Sequence, residues 1–232
     1  MKYQDKILKG LLIKRYKRFF ADIKLDKDIV TTYCPNTGSL LGLLSENSEV
    51  LVAKVNNPKA KLKYRLEAIK SGKTFVGINT SLPNSIVFEA ISKGMILKGI
   101  KGNLRQEVKY GENSRVDIFI ENKKGKNSYI EVKSVTLSRT KGIAEFPDAI
   151  TARGSKHLIE LSKMSEKGEN CYMVYLIQRD DVKKFSIAKD IDPEYYRNSI
   201  LAKNHGVKFL AYKCKVNNEG INIISKIEIS EN

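Results

Sequence analysis

Apolar and polar positions alternate with a period of two along the first third of the chain and again through its middle, the spacing of half-buried strands. In 11–25, Phe19, Ala21, Ile23 and Leu25 interleave with Phe20, Asp22 and Lys24. In 61–69, Leu62, Tyr64, Leu66 and Ala68 fall on one face and Lys61, Lys63, Arg65 and Glu67 on the other. Further strands are expected over 29–34, 50–55 and 74–78, punctuated by P-N-T-G at 35–38, N-N-P at 56–58 and S-G-K at 71–73. Five short strands divided by turns predict a small β-barrel of the OB type over residues 1–80.

The segment N-T-S-L-P-N at 79–84 reads as a boundary, and residues 81–232 as a second domain. Pro83, Asn84 and Ser85 offer helix-start chemistry and Gly94 a stop, predicting a helix over 85–93. Strands follow near 104–110, 115–121 and 128–136, then a helix over 149–167 capped by Asp148 and ended by Gly168, then a strand over 171–178. A helix over 193–204 and strands near 207–216 and 220–229 complete the chain.

Two of these strands carry chemistry: S-R-V-D-I-F-I at 114–120 and S-Y-I-E-V-K-S-V at 128–135. Residues two apart on a strand share a face, so Glu131 and Lys133 project together while Val132 points away. A neighbouring antiparallel strand can bring Asp117 beside them. Two carboxylates at about 4 Å repel by roughly 4 kcal/mol at an effective dielectric near 20, a cost that a cation or Lys133 relieves. A hard cation such as Mg²⁺ or Mn²⁺ takes such oxygen ligands, and a lysine beside it stabilises charge developing on a phosphate. The competing reading is a charged face on a half-buried strand in a lysine-rich chain.

The element order weighs against that plainer reading. Helix, three strands, helix, strand is the core of the PD-(D/E)xK nuclease-like fold, in which the acid of the second strand meets the E-x-K of the third. Asp117, Glu131 and Lys133 occupy those places, with Val116 where proline is usual. The expected fold is therefore mixed α/β (α+β), an OB-like barrel followed by a PD-(D/E)xK restriction-endonuclease-like domain. Asp117 and Glu131 are the expected metal ligands. Glu107, in R-Q-E-V-K-Y, is either a third ligand or a solvated edge-strand glutamate.

Composition narrows the partner. Lys+Arg 42 against Asp+Glu 26 leaves a formal charge of +16, which favours polyanions through steering and counterion release. No apolar run approaches the roughly 20 residues of a membrane span, and the N-terminus lacks a signal peptide's apolar stretch. Cys34, Cys171 and Cys214 are far apart and form no zinc pattern with His157 and His205. A cytoplasmic protein that binds nucleic acid, DNA foremost, is expected.

The chain also resembles the sugar fermentation stimulation proteins along nearly its whole length. The shared segments include L-I-K-R-Y-K-R-F-F-A-D-I, Y-C-P-N-T-G-S-L, V-N-N-P-K-A-K-L-K-Y, V-G-I-N-T-S-L-P-N, S-R-V-D-I-F and Y-I-E-V-K-S-V-T-L. Departures are small: Tyr33 for histidine, Leu40 for methionine and Ser134 for asparagine. The resemblance implies the same two domains, DNA binding with little sequence preference, and a role in regulating sugar (maltose) metabolism genes.

Basic residues supply further candidates for nucleic-acid contact. K-R-Y-K-R-F-F at 14–20 mixes cations with rings; Lys14, Arg15, Lys17 and Arg18 are assigned to binding, and Phe19 to the barrel core. Arg139 and Lys141 lie in the loop before the long helix, and Arg153 and Lys156 on that helix share a three- and four-residue spacing with His157 and Glu160. His157 is expected to be a hydrogen-bonded structural histidine. Three functions remain: a DNA-binding regulator on a nuclease-like scaffold, an active metal-dependent nuclease, and RNA binding through the OB-like domain.

Overall fold

The computed structural model describes residues 1–111 and 114–230. Its first sheet contains β1 (Lys6–Tyr16), β2 (Phe20–Leu25), β3 (Asp28–Tyr33), β4 (Glu49–Lys54), β5 (Tyr64–Ser71) and β6 (Thr74–Gly77). The strand order is β3-β2-β1-β4-β5-β6, and a pairing of Tyr33 with Arg65 joins β3 to β5 and curls the sheet on itself. Leu12, Ile23, Val50, Leu66 and Val76 fill its interior.

Six strands rather than five build this barrel, because the run 11–25 is a hairpin. Lys17 and Arg18 take φ of 48° and 61°, left-handed backbone in the tight three-residue loop between Tyr16 and Phe20. Neither is Gly, Asn or Asp, so the sequence carried no turn signal there. The alternation in 61–69 also breaks. Glu67 is fully buried, receiving Arg65 Nε at 2.5 Å and Asn79 Nδ2 at 2.8 Å. A buried carboxylate is tolerated because both oxygens have donors.

The second sheet has the order β10-β12-β14-β13-β11-β9-β8-β7. Its strands are β7 (Asn103–Tyr110), β8 (Ser114–Glu121), β9 (Ser128–Val135), β10 (Ile143–Phe146), β11 (Asn170–Ile177), β12 (Lys184–Ile187), β13 (Lys208–Val216) and β14 (Ile221–Ile229). β7, β8 and β9 run antiparallel, whereas β9, β11 and β13 run parallel. The four-residue strands β10 and β12 are too short to show a period, and only their mutual pairing and that of β12 with β14 define them.

Helices cover both faces. α2 (Ala152–Glu166) and α3 (Pro193–Asn204) pack on one face, with Leu158, Leu161 and Tyr195 against Met173, Tyr175 and Phe185. α1 (Pro83–Ser92) covers the other through Ile86, Val87 and Ala90 against Ile118, Ile130 and Val174. Leu51 and Ala68 of the barrel join that second cluster, so barrel and sheet share a core. The backbone N–H of Gly77 also donates to the Gln178 carbonyl at 2.9 Å.

Two expected caps are corrected. Thr151, not Asp148, caps α2, its hydroxyl accepting from the Gly154 N–H at 3.1 Å. Asp148 instead reaches the barrel, accepting from Ser39 Oγ at 3.2 Å and the Leu40 N–H at 3.3 Å. At α1 no side chain caps the start, and Asn84 is turned to another task.

Candidate metal and nucleic-acid site

The backbone pairing of β8 with β9 is registered from Ile120↔Ser128 to Ile118↔Ile130. Asp117 and Glu131 are the next residues along, one on each strand. Asp117 Oδ2 accepts the Val132 N–H at 2.7 Å, and its Oδ1 accepts from Asn84 Nδ2 at 2.8 Å. Helix α1 and strand β9 thus hold the Asp117 carboxylate between them. Burial, together with the charge of Glu131, pushes its pKa up to about 7.

Glu131 is fully buried on the side of the sheet that α2 covers. Its Oε1 accepts from the Tyr110 hydroxyl at 3.0 Å, and its Oε2 meets His157 Nδ1. Lys133 Nζ stands 3.6 Å from Oε2 and 3.1 Å from His157 Nδ1. Arg153 Nε lies 3.3 Å from His157 Nε2, and an arginine N–H can only donate. With the acceptor Glu131 at Nδ1, this assigns the imidazole hydrogen to Nδ1, and the Lys133 ammonium, itself only a donor, is held by the Glu131 carboxylate rather than by the ring. Burial alone would push the Glu131 pKa up, but His157, Lys133 and Tyr110 outweigh it and hold the pKa below the ordinary carboxylate range.

Asp117, Glu131 and Lys133 therefore meet, as the strand parity requires. Glu107 does not join them: it is exposed on the edge strand β7, with φ of 54°. Among the described residues no group of three or more His, Cys, Asp or Glu is gathered as a metal cage. What remains is a pair of carboxylates, each of whose oxygens keeps a lone pair beyond its present donor. A small hard cation that retains several waters fits such a pair, and it would offset the burial and the repulsion from Glu131 that raise the Asp117 pKa.

The basic candidates divide. Arg15 is committed to the protein: its guanidinium donates to the carbonyls of Arg18, Asn36 and Gly38 at 2.7–3.1 Å. Arg139 is likewise committed, forking to Glu145 and Asp190. Lys14 is on the surface, 3.8 Å from Asp22 and 5.6 Å above the Tyr16 ring. Lys17, Arg18, Lys141 and Lys156 are exposed. Arg153 bridges to His157, whereas Lys156 is exposed, one turn before the buried Glu160.

Sequence reasoning passed over several members of the site. Tyr110 and Asn84 bind the two carboxylates directly, and their only signals were a tyrosine ending the strand before the acidic one and an asparagine beside a proline. Lys109 and Arg115, register partners on β7 and β8, line a cavity of about 400 Å³ beside Tyr110. Phe19, assigned to the core, is 41% exposed instead.

The family model described as "SfsA N-terminal OB domain" matches residues 13–78, and the "Sugar fermentation stimulation protein RE domain" matches 81–220. A sugar fermentation stimulation protein homolog from Pelagibacter ubique is 49% identical over 231 residues, covering 99% of both chains. One from Bartonella henselae is 44% identical over 232 residues, covering 99% of this chain and 98% of the relative. The structure of Pyrococcus furiosus SfsA in complex with Ca²⁺ covers all of both chains with a TM-score of 0.88 at 23% identity. The fold is thus an OB-like barrel followed by a restriction-endonuclease-like domain.

Proposed function

Because this chain belongs to the sugar fermentation stimulation protein family, we propose that it is a DNA-binding protein of low sequence specificity whose nuclease-like domain retains a divalent-cation site. The observation that carries the reading is the meeting of Asp117, Glu131 and Lys133 in a chain with a formal charge of +16. That the similar Pyrococcus furiosus structure is a complex with Ca²⁺ supports a divalent cation as the ligand. Mg²⁺ or Mn²⁺ is the ion we propose for this chain. Asp117, Glu131 and the Val132 carbonyl would hold it, and when bound it would neutralise phosphate charge. Regulation of sugar (maltose) metabolism genes is the cellular role we propose; the names of the relatives support its link to sugar fermentation.

The protein's own groups prepare the site. Asn84 and the Val132 N–H orient Asp117, while Tyr110 and His157 orient Glu131. Lys133 offers a positive charge to an approaching phosphate, which favours a second reading as a metal-dependent nuclease.

Titration calorimetry with Mn²⁺ tests the site: wild type binds with the stoichiometry of the site, and Glu131→Gln does not. Equal heats from both proteins overturn it. DNA affinity is expected to fall roughly 10³-fold between 50 and 200 mM salt, as about six phosphate contacts require, and a flat response removes the electrostatic basis. Degradation of plasmid, single-stranded DNA or RNA by wild type with Mn²⁺, lost in Lys133→Ala, establishes the nuclease; no cleavage above background ends that second reading.

A further inference from the structure

The pairings Tyr16↔Phe20 and Phe20↔Tyr33 set three rings in one row across β1, β2 and β3, and Tyr33↔Arg65 continues the row onto β5. The interior-facing neighbours Ala21 and Thr32 are fully buried, so this row lies on the outside of the barrel. Phe19, lifted out of the core by the turn at Lys17 and Arg18, stacks on Tyr33 with centroids 6.4 Å apart and planes 13° apart. Tyr16 and Phe20 stack likewise, at 5.7 Å and 17°. Phe19 and Tyr33 are each 41% exposed. Rings of this size are normally buried, and a half-exposed stacked pair is a surface awaiting a flat partner.

Between these rings and the β4–β5 connection lies a cavity of about 660 Å³. Phe19, Phe20, Tyr33 and Tyr64 line it with rings, Leu62 adds an aliphatic wall, and Lys61 an exposed cation. Lys59 and Lys63 flank Lys61 on the same connection and are also exposed, as are Lys17 and Arg18 just before Phe19 in the chain. Arg65 lines the cavity but is neutralised by Asp5 and Glu67. The rim is cationic while the walls are aromatic.

We propose that this barrel cavity takes an unstacked base of single-stranded nucleic acid, sandwiched against the Phe19–Tyr33 pair, with Lys59, Lys61 and Lys63 on the adjoining phosphates. A flat heterocycle satisfies the rings, and the polyanionic backbone satisfies the rim; a duplex, whose bases are already stacked and paired, presents no free face. The proposal rests on the nucleic-acid-binding reading above and names the strand form that the barrel selects. It is independent of the cation site, which lies on the other domain.

Fluorescence anisotropy with a labelled oligothymidine, a hairpin duplex of equal length, and an oligomer of abasic residues tests it, each without divalent ions and at one salt concentration. Wild type binds the oligothymidine better than the abasic strand. Phe19→Ala and Tyr33→Ala each weaken oligothymidine binding by about 5- to 150-fold, the range for one stacked base, and leave duplex and abasic binding unchanged. Tyr33→Phe, which keeps the ring, restores wild-type affinity, and Ile29→Ala, an exposed apolar residue outside the cavity, changes nothing. Oligothymidine binding indifferent to Phe19→Ala and Tyr33→Ala overturns the cavity but leaves the wider binding reading intact. An equal loss on duplex and abasic strands also overturns it, since that reports damage to the barrel or a loss of phosphate contact. No binding of any strand defeats both readings.

Discussion

Asp117 accepts the backbone N–H of Val132 at 2.7 Å, so a side chain on one strand binds the main chain of the next just where their registered pairing stops. The bond fixes the carboxylate beside Glu131, and the proximity of two buried acids makes the site sensitive to protons and cations.

The Asp117 pKa is raised from 3.8 to about 7 in the folded protein. The folded state therefore binds this proton more tightly than the unfolded chain does. Its contribution to stability is fully present below 3.8 and is lost as pH rises through about 7. Without divalent ions, Asp117→Asn should melt higher than wild type at pH 8, with the gap closing toward pH 4. Thermal melts across that range check it; a gap independent of pH contradicts the assignment.

Adding Mn²⁺ at pH 8 should raise the melting temperature of wild type, because an ion that binds only the folded state stabilises it by mass action. Asp117→Asn should gain little. Thermal shift against Mn²⁺ concentration is the measurement, and an equal gain in both proteins would place the ion elsewhere.

Tyr110→Phe removes one hydroxyl from a buried carboxylate and leaves the ring in place. Hydrogen bonds to charged groups contribute about 1.5–3 kcal/mol. The urea midpoint should fall by an amount in that range with the m-value unchanged.

Arg15→Lys should destabilise the barrel by about 1–3 kcal/mol, since a point charge cannot replace a fork that serves three carbonyls. DNA affinity at low salt should change little, because the charge is retained. A large loss of affinity with unchanged stability would return Arg15 to the binding surface.

Replacing Lys17 and Arg18 by Asn and Gly should act in the opposite sense on the two properties. Both positions have positive φ, which Asn-Gly adopts at little cost, so stability should rise by about 1–3 kcal/mol. Removing two exposed cations should weaken nucleic-acid binding and flatten its salt dependence by roughly two phosphate contacts.

Period-two alternation, the E-x-K spacing and the order of helices and strands were enough to determine the two-domain fold and the meeting of Asp117, Glu131 and Lys133, because strand parity is a local property of the chain. The helix over 193–204 was legible from Pro193 at its start and Gly206 beyond its end, and the strand expected near 104–110 is Asn103–Tyr110. Long-range packing decided the rest. Glu67 breaks its alternation because Arg65 and Asn79 satisfy it inside, and Asn84 leaves the start of its helix to bind an acid 33 residues away. Arg15 and Arg139 are clamps rather than free cations, since their partners come from distant turns and loops. Phe19 is outside because a turn with no glycine reverses the chain just before it. Which charge is paired and which ring is bare depends on what the folded chain brings alongside, and spacing along the sequence does not encode that.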